Sequence, residues 1–111
     1  MAVYTPTRLA QSCVASTTET TVYTVPASTS CIVKQIVTAN VTGTAATTSV
    51  SLVASGGTAG VTNRILEQVS IPANSSITTD LSQVLATGGF ISIKQGTASA
   101  VTSTISGVEI T

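Results

Sequence analysis

Cys31-Ile32-Val33-Lys34-Gln35-Ile36-Val37-Thr38-Ala39 is the longest apolar run in the chain. Its aliphatic residues, Ile32, Val33, Ile36 and Val37, are all β-branched, and such side chains fit a pleated surface better than a helix. In strict alternation Val33 and Val37 face one side, and Ile32 and Ile36 face the other. Apolar residues on both faces imply a central strand covered on both sides.

Similar segments lie to either side, separated by Gly, Pro, Asn and Ser. Toward the N-terminus, Thr20 to Val25 stops at Pro26, and Leu9 to Ala15 forms an earlier strand. Before it, residues 1–8 form an extended arm broken by Pro6, so the folded domain is expected to span residues 9–111. Toward the C-terminus, Thr48 to Ala54 carries Val50 and Leu52 on one face. Ser55-Gly56-Gly57-Thr58-Ala59-Gly60 follows as a strand connection. Arg64 to Ile71 puts Ile65, Val69 and Ile71 inward, and Ser76 to Leu81 does the same with Ile77 and Leu81. Leu81 to Leu85 fits one helical turn with Asp80 as its N-cap. Phe90 to Gln95 is the seventh strand, and the eighth runs from Ala100 to the C-terminus. In that last strand Val101 and Ile105 are odd-numbered, whereas Val108 and Ile110 are even. A one-residue slip reverses the faces, so the switch predicts a β-bulge at Ser106-Gly107.

About eight short strands and no helical period define an all-β chain, a single antiparallel β-sandwich of jelly-roll or immunoglobulin-like type. Val25-Pro26-Ala27-Ser28-Thr29-Ser30 and Ile71-Pro72-Ala73-Asn74-Ser75-Ser76 echo each other, and read as two similar hairpin corners.

The 111 residues suffice for one domain. Hydrophobic residues make up 42% of them, enough to drive folding. Charged residues are only 7%, against roughly 25% in ordinary soluble domains. The net charge is zero. No basic patch is available for a phosphate backbone and no polybasic segment for a membrane surface, so neither nucleic acid nor membrane is an expected partner. Ser and Thr fill a third of the chain. A neutral surface of this kind tends to associate, which points to coverage in an assembly. The first eight residues contain no apolar h-region, so a signal peptide is not expected.

Catalytic equipment is missing from the sequence. With no His, neither a Ser-His-Asp triad nor a Cys-His nucleophile is possible. Glu19, Glu67, Asp80 and Glu109 give no evident acid-base pair. No cofactor or metal is expected. Asn40-Val41-Thr42 and Asn74-Ser75-Ser76 match the glycosylation sequon but read as chance matches in a Ser/Thr-rich chain. Cys13 and Cys31 are read as reduced thiols; an intramolecular disulfide and a bond to a neighbouring subunit are the alternatives. Tyr4, Tyr23 and Phe90 are the only aromatics and read as core or interface anchors. Lining a groove, they would instead support a carbohydrate-binding module for host adsorption. Tyr4, Pro6 and Arg8 in the arm, together with Arg64, are the candidate assembly contacts; the arm either packs on a neighbour or frays.

The chain resembles small structural proteins encoded by tailed bacteriophages and prophages. The resemblance rests on residues 4–9, Tyr-Thr-Pro-Thr-Arg-Leu, and on Val22-Tyr23-Thr24-Val25-Pro26-Ala27. It continues through residues 55–60 with Asn63-Arg64-Ile65, through residues 71–75 with Asp80-Leu81, and through residues 96–101 leading to Ile105-Ser106-Gly107-Val108-Glu109. Family members often carry Gly where Ser28 stands and Gly-Asp where Gly89-Phe90 stand. The resemblance implies a β-sandwich virion structural protein, foremost a capsid decoration protein, alternatively a neck, collar or tail component. It implies assembly in the host bacterial cytoplasm and a place in the virion. Its implied partners are further copies of itself, a trimer by analogy, and the major capsid protein or neck and tail proteins.

Overall fold

The computed structural model describes residues 2–111. The β-branched segments form eight strands: β1 (Tyr4–Cys13), β2 (Thr20–Thr24), β3 (Ser30–Asn40), β4 (Ala46–Val53), β5 (Arg64–Ile71), β6 (Ser76–Leu85), β7 (Phe90–Gln95) and β8 (Val101–Ile110). A single 3-10 turn, Val61–Asn63, precedes β5.

The topology is that of a long hairpin rolled up. β1 pairs with β8, β2 with β7, β3 with β6 and β4 with β5, all antiparallel. Rolling adds the β3–β8 and β4–β7 ladders. Two four-stranded sheets result, in the orders β1-β8-β3-β6 and β2-β7-β4-β5. This arrangement is a jelly roll, and it decides between the two sandwich types that the strand count allows.

The corner echo has a structural basis. Ser28 and Asn74 occupy the same place in the two motifs, and both are left-handed at φ 56°. In each corner the next hydroxyl bonds back to the alanine carbonyl: Thr29 Oγ1 donates to Ala27 O at 3.0 Å and Ser75 Oγ to Ala73 O at 3.2 Å. These corners are not hairpins. Each carries the chain from one sheet to the other, from β2 to β3 and from β5 to β6.

Residues 4–8, expected as an arm, are the first half of β1 and pair with residues 106–110 of β8. As an edge strand β1 bonds on one side only, which lets it accommodate Pro6. The expected helical turn at residues 81–85 is instead the end of β6. Val84 pairs with Ile32 and Leu85 with Cys31. A ladder against β3 outcompetes an isolated turn, whose nucleation is costly.

The bulges also lie elsewhere than expected. β8 runs without a slip through Ser106 and Gly107, and the extra residues are Leu9 in β1 and Lys34 in β3. The β3 bulge breaks the strict alternation expected there. Val33 and Ile36 are the fully buried pair, and Ile32 and Val37 lie on the opposite face with Val108 and Thr104.

The interior has two apolar clusters. The larger includes Leu9, Cys31, Val33, Ile36, Val50, Ile91, Ile93 and Ile105. The smaller comprises Ala46, Ile71, Ala100 and Val101. Between them, Thr38, Thr48, Gln95 and Ser103 form a buried polar layer, one residue from each of the four inner strands. Gln95 is satisfied by β8: its Nε2 donates to Val101 O at 2.8 Å, and its Oε1 accepts from the Ala100 and Val101 amides at 3.3 Å. Asn40 is buried at the β3 terminus and donates to Thr44 O and Ile71 O, so its first sequon is a structural corner.

Candidate assembly surface

The two sheets present opposite kinds of outer face. On β2-β7-β4-β5, the inner strands carry Ser51 and Ser92 in register, with Arg64 beside Ser51 on β5. Small side chains leave room above the sheet for longer ones to cross it. Arg64 Nη1 reaches Glu19 Oε2 at 2.8 Å and Ser51 Oγ at 2.9 Å, and Ser92 Oγ donates to Glu19 Oε1 at 3.0 Å. Glu67 adds its carboxylate 3.6 Å from Arg64 Nε. The Arg64 side chain is only 8% exposed beneath this cover. The face is closed by its own polar network.

The β1-β8-β3-β6 face is not closed in this way. Strand register places its outward residues in four-membered rows. One row reads Pro6, Val108, Ile32, Val84, apolar across the whole width of the sheet. The next row outward pairs Tyr4 with Ile110 and Ile110 with Ser30. On the other side lies a polar row, Arg8, Ser106, Gln35, Asp80. Val84 is 69% exposed, Tyr4 66% and Val3 56%. Ile32 and Val108 are half-buried in the middle of the strip, and its exposed apolar surface is concentrated at the Val84 edge and around Tyr4 and Val3. Arg8 Nη1 donates to Gln11 Oε1 at 3.3 Å, and Gln35 Nε2 donates to Asp80 Oδ1 at 3.1 Å. Lys34, on the β3 bulge, donates to Ser82 Oγ at 2.9 Å.

The four candidate contacts therefore divide. Tyr4, Pro6 and Arg8 share the outward face of β1, two residues apart, on the open sheet. Arg64 is on the opposite sheet and is occupied by Glu19. Sequence reading missed Ile32, Val84, Val108 and Ile110 as surface residues. The signal was present in the even numbering of Val108 and Ile110, which reflects true outward placement.

Cys13 is exposed at the end of β1, whereas Cys31 is buried at the start of β3. Both border β8, Cys13 opposite Thr102 and Cys31 opposite Glu109. Seven positions along a strand span about 23 Å, far beyond the reach of a disulfide. The intramolecular bond considered from the sequence is thus ruled out by register.

A half-buried polar link ties the sheets together beside Cys31. Tyr23 on β2 donates its phenol to Glu109 Oε2 on β8 at 2.5 Å. Burial, and then the bond to Glu109, push the Tyr23 phenol above its ordinary range. Burial likewise raises the Cys31 thiol, opposed in part by the neighbouring Tyr23 hydroxyl. Glu67 and Asp80 lie on different sheets and form no pair.

A groove of about 770 Å³ opens where the β6 end passes the start of β5, lined by Leu52, Arg64, Ile65, Gln83, Val84 and Leu85 among others. None of Tyr4, Tyr23 and Phe90 lines it.

No protein-family description and no curated protein matches this sequence. Among solved structures, the chain is similar to one of infectious bursal disease virus, Gx strain, at 13% identity and a TM-score of 0.48, over 99% of this chain and 31% of that one. It is similar to the tobacco streak virus coat protein, solved as a dimer, at 11% identity and a TM-score of 0.44, over 99% of this chain and 84% of the other. The Gt strain of infectious bursal disease virus gives 12% identity and a TM-score of 0.43, over 98% of this chain and 31% of that one. The chain spans about a third of the length of the bursal disease virus chains. These likenesses concern the course of the backbone.

Proposed function

We propose that this chain is a virion structural protein, foremost a capsid decoration protein that covers a particle surface and performs no chemistry. The observation that carries the reading is the apolar strip crossing the open sheet of a chain with only eight charged side chains and no net charge. Such a surface is poorly suited to a free existence at high concentration and well suited to burial. The jelly roll is a fold that virus shells use, among other proteins, and the sequence resemblance to phage structural proteins points the same way. The carbohydrate-binding alternative loses support because its aromatics do not line the groove.

Electron microscopy of intact particles from the phage that encodes the chain tests this reading. Density for the jelly roll on the capsid is the expected result, and density at the neck or tail would move the protein within the virion. Purified particles that lack the chain, and that fail to bind it when it is added back, would overturn the proposal.

A further inference from the structure

The polar row beside the apolar strip carries opposite charges at its two ends. Arg8 sits on β1 at one edge of the sheet and Asp80 on β6 at the other, with Ser106 and Gln35 between them. Among the described residues neither forms an ion pair; each is held on the face by a neutral glutamine. A row with plus at one end and minus at the other is complementary to itself after a half-turn.

We propose that the β1-β8-β3-β6 face pairs with the same face of a second copy, about a two-fold axis running along the strands between β8 and β3. The partner follows from the register. That rotation exchanges β1 with β6 and β8 with β3 while leaving each row at its own height. Arg8 then faces Asp80 of the other copy, twice per dimer. Val108 lies over Ile32 and Pro6 over Val84, so the apolar strip is buried against itself. A two-fold contact of this kind requires self-complementarity, and the charge order supplies it. Four strands of about ten residues cover roughly 600 Å² per copy, about 1,200 Å² in total, at the lower bound of stable, specific interfaces. Sheets stacked face to face near −30° pack in this manner inside sandwiches. The other sheet offers no such contact, because Arg64 and Glu19 already close it.

The remaining charge on the face, Lys34, sits on the β3 bulge and is held by Ser82 of β6, so it lies between the apolar and polar rows on the side where β1 of the other copy is set. The pairing also explains why β3 is apolar on both sides: one face fills the core and the other meets the second copy.

This inference rests on the reading of the chain as an assembly module, and the isolated protein tests it separately. Sedimentation equilibrium of the full chain is expected to show a monomer–dimer equilibrium. Arg8→Asp and Asp80→Arg each place like charges face to face and are expected to weaken the dimer roughly tenfold or more. The double variant R8D/D80R restores it. So does an equal mixture of the two single variants, because each then supplies the charge the other lacks. Both positions are exposed, and unchanged thermal unfolding of each variant verifies that the fold survives. A chain that is monomeric up to millimolar concentration overturns the pairing. So does an oligomer indifferent to both reversals, or one that the double variant fails to rescue. Particle binding by a strictly monomeric chain would overturn this inference alone and leave the virion reading standing.

Discussion

Arg64 and Glu19 meet 2.8 Å apart above the two strands that separate them, across Ser51 of β4 and Ser92 of β7. The pair is a strap over a sheet face. Removing Arg64 would strand the Glu19 carboxylate over buried serines and uncover the strand centres. Glu19 remains 29% exposed, which moderates the loss by solvent screening. Arg64→Ala is expected to cost about 1–3 kcal/mol in urea denaturation. Glu19→Gln, which keeps one acceptor oxygen for Arg64 and presents its amide N–H to the Ser92 hydroxyl as acceptor, is expected to cost less. A null effect for Arg64→Ala would mean that the strap is ornamental and that the face tolerates exposure.

Ser28 is held at φ 56°, a conformation that costs an L-residue about 1–2 kcal/mol and glycine little. Ser28→Gly is therefore expected to raise stability by about 0.5–1 kcal/mol once the added freedom of the unfolded chain is counted. Asn74 has the same φ, but asparagine tolerates it better, so Asn74→Gly is expected to gain less. Midpoints from thermal unfolding compare the two directly, and the order Ser28 above Asn74 is the informative result.

The Tyr23 phenol, donating to Glu109 across the two sheets, has a pKa raised by burial and by that bond. The sign of the pH effect follows. The folded state favours the protonated phenol, so its contribution is complete below the ordinary tyrosine value near 10 and declines as pH rises beyond it. Wild-type stability is expected to fall steadily from about pH 10 upward. Tyr23→Phe should be less stable near neutrality, having left the Glu109 carboxylate without its donor, and should show a shallower alkaline decline. Equal slopes for the two proteins would remove Tyr23 as the titrating group.

Much of the fold is readable from β-branched runs and turn residues. Arg64–Ile71 and Phe90–Gln95 coincide with the strands expected from the sequence, and the others differ mainly at their ends. What escapes is decided between strands. The parity change in β8 looks like a local slip, yet the extra residues belong to its neighbours, at Leu9 and Lys34. Nothing within β8 reveals that. Val108 and Ile110 thus belong to the surface although composition alone assigns them to the core. The β6 end reads as a helical turn because Leu81, Gln83 and Leu85 are good helix formers and Asp80 suits an N-cap; only pairing with β3 overrides them. Of the candidate contacts, Tyr4, Pro6 and Arg8 come together because strand period two puts them on one face. Arg64 does not join them, because β5 belongs to the opposite sheet, where it meets Glu19 from 45 residues away in sequence.

The two cysteines differ in every property that governs thiol chemistry. Cys13 is exposed at the end of β1. Cys31 is fully buried, and its thiol is raised by that burial and by the neighbouring Glu109 carboxylate, with only partial relief from Tyr23. The thiolate is the reactive species, so Cys31 is disfavoured both in access and in ionisation. At dilution, where the chain is monomeric, a thiol-specific reagent is expected to modify one cysteine per native chain rapidly and the second only in denaturant. Mapping of the modified peptide should place the fast label on Cys13; fast labelling of both would contradict the burial of β3. Oxidation of the native protein is expected to leave gel mobility unchanged. Register along β8 keeps Cys13 and Cys31 of one chain far apart, and the two-fold pairing sets Cys13 against Ser76 of the other copy, not against its cysteine. A covalent dimer formed readily under mild oxidation would require a different arrangement of copies from the one the charge rows dictate.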